Sequence, residues 1–380
     1  MTRRDQSPRK VAVFIAFTAV VGLVAGFIVL ETAYRAYQLY AYGMIDYPDL
    51  ETVGAVYRDE QYGLLPTPNF RFDMIPDKVR FHPGVDGFQA DVTFNRWGYR
   101  GADFSKDKPP GTFRIVTFGG STTMSIESDE ANTWPALLQK FANERGSGRT
   151  WGNGASSVEV INAGIGASRT REGLLRLKNE VQYFQPDLIL VAYGWNDVFR
   201  GVSGDDPHAA ASVETPWWYQ SAVLQNLRAR YLARTAQDAR YHDDLITRLR
   251  RDSPWSKAYV TNLLEMHRVA SSIGARMILV NLPGLCRKES RETSEYDVII
   301  SRSRVTPENF DFWVEVKSFE GALLADVAAT TGMPLVDVSA AFDKFSGVQR
   351  LELFEDEMHL SDAGAREVAE AINRAMASGI

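Results

Sequence analysis

Five histidines occur in the chain, and His359 stands apart from His82, His208, His242 and His267 because an acid precedes it in Asp356-Glu-Met-His359. An aspartate three residues away can reach across one turn to one imidazole nitrogen, which leaves the other free to take a proton from a hydroxyl. Such a hydroxyl stands far upstream, in Phe113-Arg-Ile-Val-Thr-Phe-Gly-Gly-Ser-Thr-Thr123, an apolar run that stops at two glycines and then presents Ser121. A serine is a poor nucleophile at neutral pH until an oriented base accepts its proton. Two more stretches offer donors for a developing oxyanion. Asn162-Ala-Gly-Ile-Gly-Ala-Ser168 can expose backbone N–H groups at its glycines, and Asn196 in Gly194-Trp-Asn-Asp197 can aim its amide. Each stretch also has a plainer reading: Ser121 as a helix cap, Asn-Asp as a turn, Asp-x-x-His as a cap or metal ligand. Zinc is not expected, because no second His or Cys stands at ligand spacing. A dinucleotide fingerprint would need a third glycine where Arg169 stands, and Gly119-Gly-Ser-Thr-Thr123 lacks the Gly-Lys of a phosphate loop. No cofactor is expected.

Those residues need a scaffold that collects them. After Pro109-Pro110 the pattern predicts strands at 113–118, 158–163, 187–193, 276–282 and 334–338, with helices near 131–145, 170–184, 256–273 and 307–331. A last helix is expected from about Ser361 to Ala377. Near-continuous apolar strands separated by helices imply a parallel sheet covered on both faces. Serine, glycine and asparagine then fall at the carboxyl ends of successive strands, where open α/β sheets place their ligand crevice. Gly119 and Gly120 are expected to let the backbone turn through angles a side chain would forbid. Residues 199–255 interrupt the pattern with Trp217-Trp218-Tyr219 and a basic run through Arg228, Arg230, Arg234 and Arg240. That insertion reads either as a lid or as an ordinary helical segment with its aromatics packed inward.

Composition narrows the class. Hydrophobic residues make up 45% and charged residues 24%, an ordinary globular balance, and the net charge of −6 excludes a nucleic-acid partner. Val11 to Leu30 is uncharged and long enough as a helix to cross a hydrocarbon core of roughly 30 Å. Arg3, Arg4, Arg9 and Lys10 precede it, which sets the N-terminus inside the cytoplasm and the remainder outside it. A cleaved signal peptide would have a shorter apolar core and a small-residue cleavage site, which Glu31-Thr-Ala-Tyr does not supply. The single cysteine, Cys286, excludes an internal disulfide. The expected plan is a cytoplasmic tail (1–10), a transmembrane anchor (11–30), a stalk and N-terminal extension (31–110) and a main domain (111–380). Tyr34, Tyr37, Tyr40, Tyr42 and Tyr47 suit the membrane–water interface, and Phe88-Gln-Ala-Asp-Val-Thr-Phe94 alternates as a short strand would.

Phe118-Gly-Gly-Ser121, Asn162-Ala-Gly164, Gly194-x-Asn196-Asp and Asp356-x-x-His359 match in order and spacing the four blocks of the SGNH hydrolases, also called the GDSL esterase/lipase superfamily. The chain resembles this family over about residues 111–380, in a membrane-anchored Gly-Gly-Ser-Thr-Thr form in which Gly120 stands where the family name has Asp. The resemblance implies a three-layer α/β/α domain with a five-stranded parallel sheet in flavodoxin-like order. It also implies Ser121 as nucleophile, His359 as general base and then acid, and Asp356 as the group orienting His359. The oxyanion hole would combine the Ser121 N–H, the Gly164 N–H and the Asn196 side chain. The implied reaction is ester hydrolysis through an acyl-serine, on an acylated carbohydrate or lipid outside the cytoplasmic membrane. The alternatives are O-acyl transfer to an exported polysaccharide, with a membrane acyl-donor partner, and a non-catalytic glycan-binding role.

Overall fold

A computed structural model of the chain describes residues 8–42, 54–71, 92–144, 154–203, 221–224, 227, 243–303 and 305–379. Trp217, Trp218, Arg228, Arg230, Arg234 and Arg240 lie outside the described residues, as do His82, His208, His242, Tyr47 and most of the run from Phe88 to Phe94.

Five parallel strands form the main sheet: β3 (Thr112–Gly119), β4 (Ser157–Asn162), β5 (Leu188–Ala192), β6 (Arg276–Asn281) and β7 (Leu335–Asp337). Their order is β4-β3-β5-β6-β7, the 2-1-3-4-5 arrangement of a flavodoxin-like sheet. Around it pack α3 (Trp134–Glu144), α4 (Thr170–Asn179), α5 (Trp195–Ser203), α6 (Pro254–Ser272), α7 (Phe310–Thr331) and α8 (Asp362–Ala377). Side chains alternate along each strand, so the sheet has two apolar faces. Ile115, Leu190 and Ile278 lie with Leu138 and Phe141 of α3 and with Val368 and Ile372 of α8. Val116, Ile189 and Leu279 lie on the other face with Leu177 of α4, Leu263 of α6 and Val327 of α7. These side chains are almost wholly buried, and each stabilises the fold by about 1.5–3 kcal/mol relative to exposure. The middle layer is thereby held rigid between two helical layers. Its carboxyl edge carries Gly119, Asn162 and Ala192 on neighbouring strands.

One expected helix ends early. Residues 170–184 divide into α4 and a 3-10 turn over Val181–Phe184, after which Gln185 takes a left-handed φ of 55°. Pro186 follows, and the residue before a proline is pushed out of helical angles. A helix over Ser294–Arg302, not expected from the pattern, adds to the outer layer.

The first helix, α1 (Pro8–Tyr42), outruns the apolar stretch that ends at Leu30. No glycine or proline occurs from Glu31 to Tyr42, and Arg35 Nε donates to Glu31 at 2.8 Å one turn back, so nothing stops the helix before Gly43. Its apolar side chains stand in the open, with Val13 69% and Leu23 74% exposed. Among the described residues it is the one helix long and apolar enough to cross a membrane. Just past the apolar run, the Glu31 carboxylate accepts from Ser221 Oγ at 2.8 Å, Ala222 N at 2.9 Å and Val223 N at 3.2 Å. The Ser221–Val223 segment of the long insertion is thus tied to α1.

The described residues between α1 and the sheet pack on the main domain. A hairpin, β1 (Val56–Asp59) and β2 (Gly63–Pro66), pairs in antiparallel register and joins α4 through Asn179 Nδ2 donating to Tyr62 Oη at 2.8 Å. Tyr99 and Phe104 meet Phe184 edge-on at 5.6 and 5.0 Å. Arg114 of β3 is fully buried; its guanidinium donates to the Ser105 and Lys106 carbonyls at 2.8 and 3.0 Å and to Glu159 at 2.6 Å. These bonds tie the extension to the sheet in one fixed geometry, and truncating the arginine would leave its buried acceptors unpaired.

Candidate active site

At the carboxyl end of β3 the chain enters a single helical turn, α2 (Ser121–Met124). Gly120 occupies the cap position, so Ser121 is the first helical residue and its hydroxyl does no capping. The expectation about the two glycines needs correction. Gly120 has an ordinary negative φ of −85°, and Gly119 is not among the positive-φ glycines. Space, not angle, demands glycine here. A Cβ at Gly119 would lie 2.0 Å from Thr123 Oγ1, and one at Gly120 would lie 2.5 Å from Asn196 Nδ2.

Ser121 and His359 are 238 residues apart in sequence, yet Ser121 Oγ lies 2.8 Å from His359 Nε2. His359 Nδ1 lies 2.7 Å from Asp356 Oδ2. A carboxylate only accepts, so Nδ1 carries the proton shared with Asp356, and in the neutral ring Nε2 accepts from the serine hydroxyl. The Asp356–His359 turn is closed by Glu355 N donating to the His359 carbonyl at 2.8 Å. Asp356 Oδ1 also accepts from the backbone N–H of Met358 at 2.8 Å and of His359 at 2.7 Å. Burial pushes the Asp356 carboxyl up, but these bonds from His359 and Met358 outweigh it and hold the pKa below the ordinary value. Burial opposes the charged form of His359 as well. The hydrogen bond to Asp356 and the charges of Glu127, Asp356 and Glu357 overcome it and raise the imidazole pKa to about 9.

The remaining expected residues gather on the far side of Ser121. Asn196, in the first turn of α5, donates Nδ2–H to the Ser168 carbonyl at 3.0 Å and lies against Gly120. Its amide has a second hydrogen, and the Ser121 N–H at the start of α2 has no acceptor within its own helix. Gly164 abuts the α2 backbone: a Cβ there would meet Met124 N at 2.4 Å. Its N–H donates to Asn162 Oδ1 at 3.0 Å, while Asn162 Nδ2 donates to the Thr123 carbonyl at 3.0 Å. Gly164 is therefore beside the serine, but any ligand oxygen must share its N–H with Asn162. Asp197, next to Asn196, points away and takes both the N–H and the hydroxyl of Thr170, the latter at 2.6 Å. Burial raises its pKa to about 7.

Three groups were not legible as site residues. Glu127 Oε1 stands 4.0 Å from His359 Nε2. Arg100, from the extension, donates Nη1–H to the Ser125 carbonyl at 2.7 Å and Nη2–H to the Ser128 carbonyl, which fixes the loop carrying Glu127. Beneath α5, Lys317 Nζ donates to Glu320 Oε2 at 2.9 Å and Asn281 Oδ1 at 2.6 Å, and lies 5.6 Å from the centre of the Trp195 ring. That buried pair supports the turn from which Asn196 projects. Among the described residues no cluster of His, Cys, Asp and Glu could hold a metal ion.

A flavodoxin-like sheet with a serine, a histidine and an aspartate in hydrogen-bonded sequence at its carboxyl edge defines an α/β domain of the hydrolase class. The model of the GDSL-like lipase/acylhydrolase family matches residues 115–372, and the chain belongs to that family. An arylesterase from Vibrio mimicus is 31% identical over 88 residues, which are 23% of this chain and 40% of that protein, so the chain spans well under half of this relative's length. Among solved structures, an acetyl xylan esterase, AlAXEase, is similar at 16% identity with a TM-score of 0.42, over 69% of this chain and 98% of that one. An acetylxylan esterase mutant from Geobacillus stearothermophilus is similar at 16% identity with a TM-score of 0.40, over 69% of this chain and 93% of that one.

Proposed function

We propose that the chain is a serine-dependent acyl-ester hydrolase acting on an acylated carbohydrate or lipid outside the cytoplasmic membrane. The observation that carries this reading is the unbroken hydrogen-bonded sequence from Ser121 Oγ through the His359 ring to Asp356 Oδ2, at 2.8 and 2.7 Å. His359 Nε2 takes the hydroxyl proton as Oγ attacks the ester carbonyl, and the carbonyl becomes a tetrahedral oxyanion. The Ser121 N–H and the second Asn196 N–H stabilise that oxyanion, with Gly164 N–H shared between it and Asn162 Oδ1. The imidazolium, steadied by Asp356, returns the proton to the departing alcohol and leaves an acyl-serine. Water then gives one proton to His359 as its oxygen bonds to the acyl carbon, and His359 passes that proton to the departing Ser121 Oγ, which releases the acid and restores both residues.

A second reading keeps the same first half and lets a sugar hydroxyl take the place of water. The exposed apolar length of α1 favours retaining it, since a membrane anchor would keep the site near membrane-borne acyl donors. The basic residues before Val11 support an inward N-terminus and an extracytoplasmic domain.

The test uses the full chain in detergent. It should cleave p-nitrophenyl acetate, and Ser121→Ala should lower kcat by at least about 10³-fold while leaving the melting temperature unchanged. Wild-type protein without activity, or a Ser121→Ala protein equal to it, refutes the catalytic reading. A labelled acyl group recovered on an added oligosaccharide instead of as free acid selects transfer. Recovery of the intact N-terminus in the membrane fraction supports the anchor, and a mature N-terminus near residue 30 overturns it.

A further inference from the structure

The hairpin β1–β2 lies outside residues 115–372, yet it walls a cavity that shares a loop with the oxyanion side of the serine. The cavity holds about 170 Å³ between Tyr62 and Leu64 of the hairpin, the Gly166–Ser168 loop, and Glu172 and Arg200 on α4 and α5. Ser168, whose carbonyl accepts from Asn196, lines it. The loop is not relaxed. Ala167 adopts a left-handed φ of 62°, which a residue with a Cβ holds only where its surroundings enforce it. The turn is secured on its inner side by Gly166 N donating to Met124 Sδ at 3.2 Å. The hairpin is secured too, by Tyr62 to Asn179, and Asp59 Oδ1 accepts from Gln61 N at 2.8 Å and Tyr62 N at 2.9 Å to fix its tip.

The lining tells which chemistry fits. The lining sets Arg58 and Arg200 beside Asp59 and Glu172, two charges of each sign, and the Glu172 carboxylate is itself paired with Arg169 and Arg171 at 3.3 Å, so polar groups of both kinds face the cavity. Mixed charges of this kind do not single out a phosphate or a carboxylate. Tyr62 and Leu64 add apolar surface. Hydroxyl groups set around a ring with apolar faces answer both features. The volume is below the roughly 300–1,000 Å³ of sites for larger ligands, which limits the guest to one ring.

We propose that this cavity is a subsite for one neutral sugar unit of the substrate, next to the unit that carries the ester. The inference rests on the hydrolase reading and gives it a substrate class, a glycan at least two units long.

Leu64→Trp fills the cavity from β2, and Tyr62→Ala enlarges it. Both are compared with wild type, as full chains in detergent, on p-nitrophenyl acetate, an acetylated xylose monosaccharide and acetylated xylo-oligosaccharides. Wild type should favour the oligosaccharide over the monosaccharide by about tenfold or more in kcat/KM, a ratio of the size one or two hydrogen bonds provide. Leu64→Trp should erase that preference through KM, with the aryl acetate rate within about twofold of wild type, a change too small to signal lost transition-state contacts. Tyr62→Ala should weaken the preference in the same direction. Unchanged oligosaccharide kinetics in Leu64→Trp overturn the subsite, as does an equal loss on all three substrates. Wild type active on the aryl acetate with no preference between the sugars overturns the inference alone. Wild type inert toward all three overturns the hydrolase reading and the inference together.

Discussion

Replacing Glu127 with glutamine should speed the reaction at neutral pH while lowering its alkaline plateau. In the proposed mechanism His359 must be neutral to accept the Ser121 proton, and with its pKa raised to about 9 the charged form would prevail at pH 7. The Glu127 carboxylate contributes to that rise from 4.0 Å. Two unit charges at this separation interact by about 1 kcal/mol in water and about 4 kcal/mol in an effective dielectric of 20. The side chains of His359 and Glu127 are 19% and 28% exposed, which puts the interaction between those limits. At about 1.4 kcal/mol for each pH unit, Glu127→Gln should move the acid limb of the kcat/KM profile down by roughly one unit or slightly more. The rate at pH 7 then rises up to about tenfold. The same carboxylate stabilises the imidazolium in the transition state, so the plateau above pH 9 should fall. Arg100 holds the 125–128 loop by its carbonyls, so the substitution leaves the loop in place. The assay is hydrolysis of p-nitrophenyl acetate from pH 5 to 10 with a melting curve for each protein. An acid limb that stays put or moves upward, in a variant that melts like wild type, refutes the electrostatic account of Glu127.

Three further outcomes follow from the packing. Asn196→Ala should cut kcat by about 10²–10³-fold with little effect on KM, the usual consequence of losing one oxyanion donor; a loss confined to KM would remove Asn196 from that role. Gly120→Val should cost activity more than folding, because its side chain meets the Asn196 amide and not the core, and a fully active protein of that sequence would refute the close-approach reading. Lys317→Ala strands the Glu320 carboxylate, 3% exposed and already raised in pKa by burial, and should destabilise the domain by about 3–5 kcal/mol in denaturant titration. Lys317→Ala together with Glu320→Gln should recover a large part of that loss, and no recovery would show that the ion pair is not the cause.

The sequence shows local relations plainly and distant ones hardly at all. Asp356 and His359 are close in the chain, so their hydrogen bond is readable from spacing, and the runs ending at Gly119, Asn162 and Ala192 mark strand ends through apolar periodicity alone. Glu127 left no signal. A single glutamate in Ser125-Ile-Glu127-Ser128 looks like a solvated loop residue until the 354–360 turn is folded over it. Arg100 and the Lys317–Glu320 pair were hidden for the same reason, since their partners come from separate elements or from a helix face whose burial needs the assembled sheet. The two glycines show the opposite error. Their presence was informative, but composition does not distinguish a residue needed for its φ from one needed because a neighbour occupies the Cβ position. Helix ends followed punctuation only in part: α4 already gives way at Glu180, where no glycine or proline stands, Pro186 bars continuation past Gln185, and the lack of any breaker carried α1 past Leu30.

That extra length of α1 has a mechanical meaning. The dozen residues from Glu31 to Tyr42 rise roughly 18 Å as a continuous helix, and Glu31 at their base is clasped by Ser221, Ala222 and Val223. On the proposal that the apolar length is embedded, this clasp would moor the domain through its insertion instead of leaving it on a loose tether. Its catalytic edge would then patrol a thin slab of space parallel to the bilayer, so the molecules it meets are selected by their height above the lipid before any of them is selected by shape.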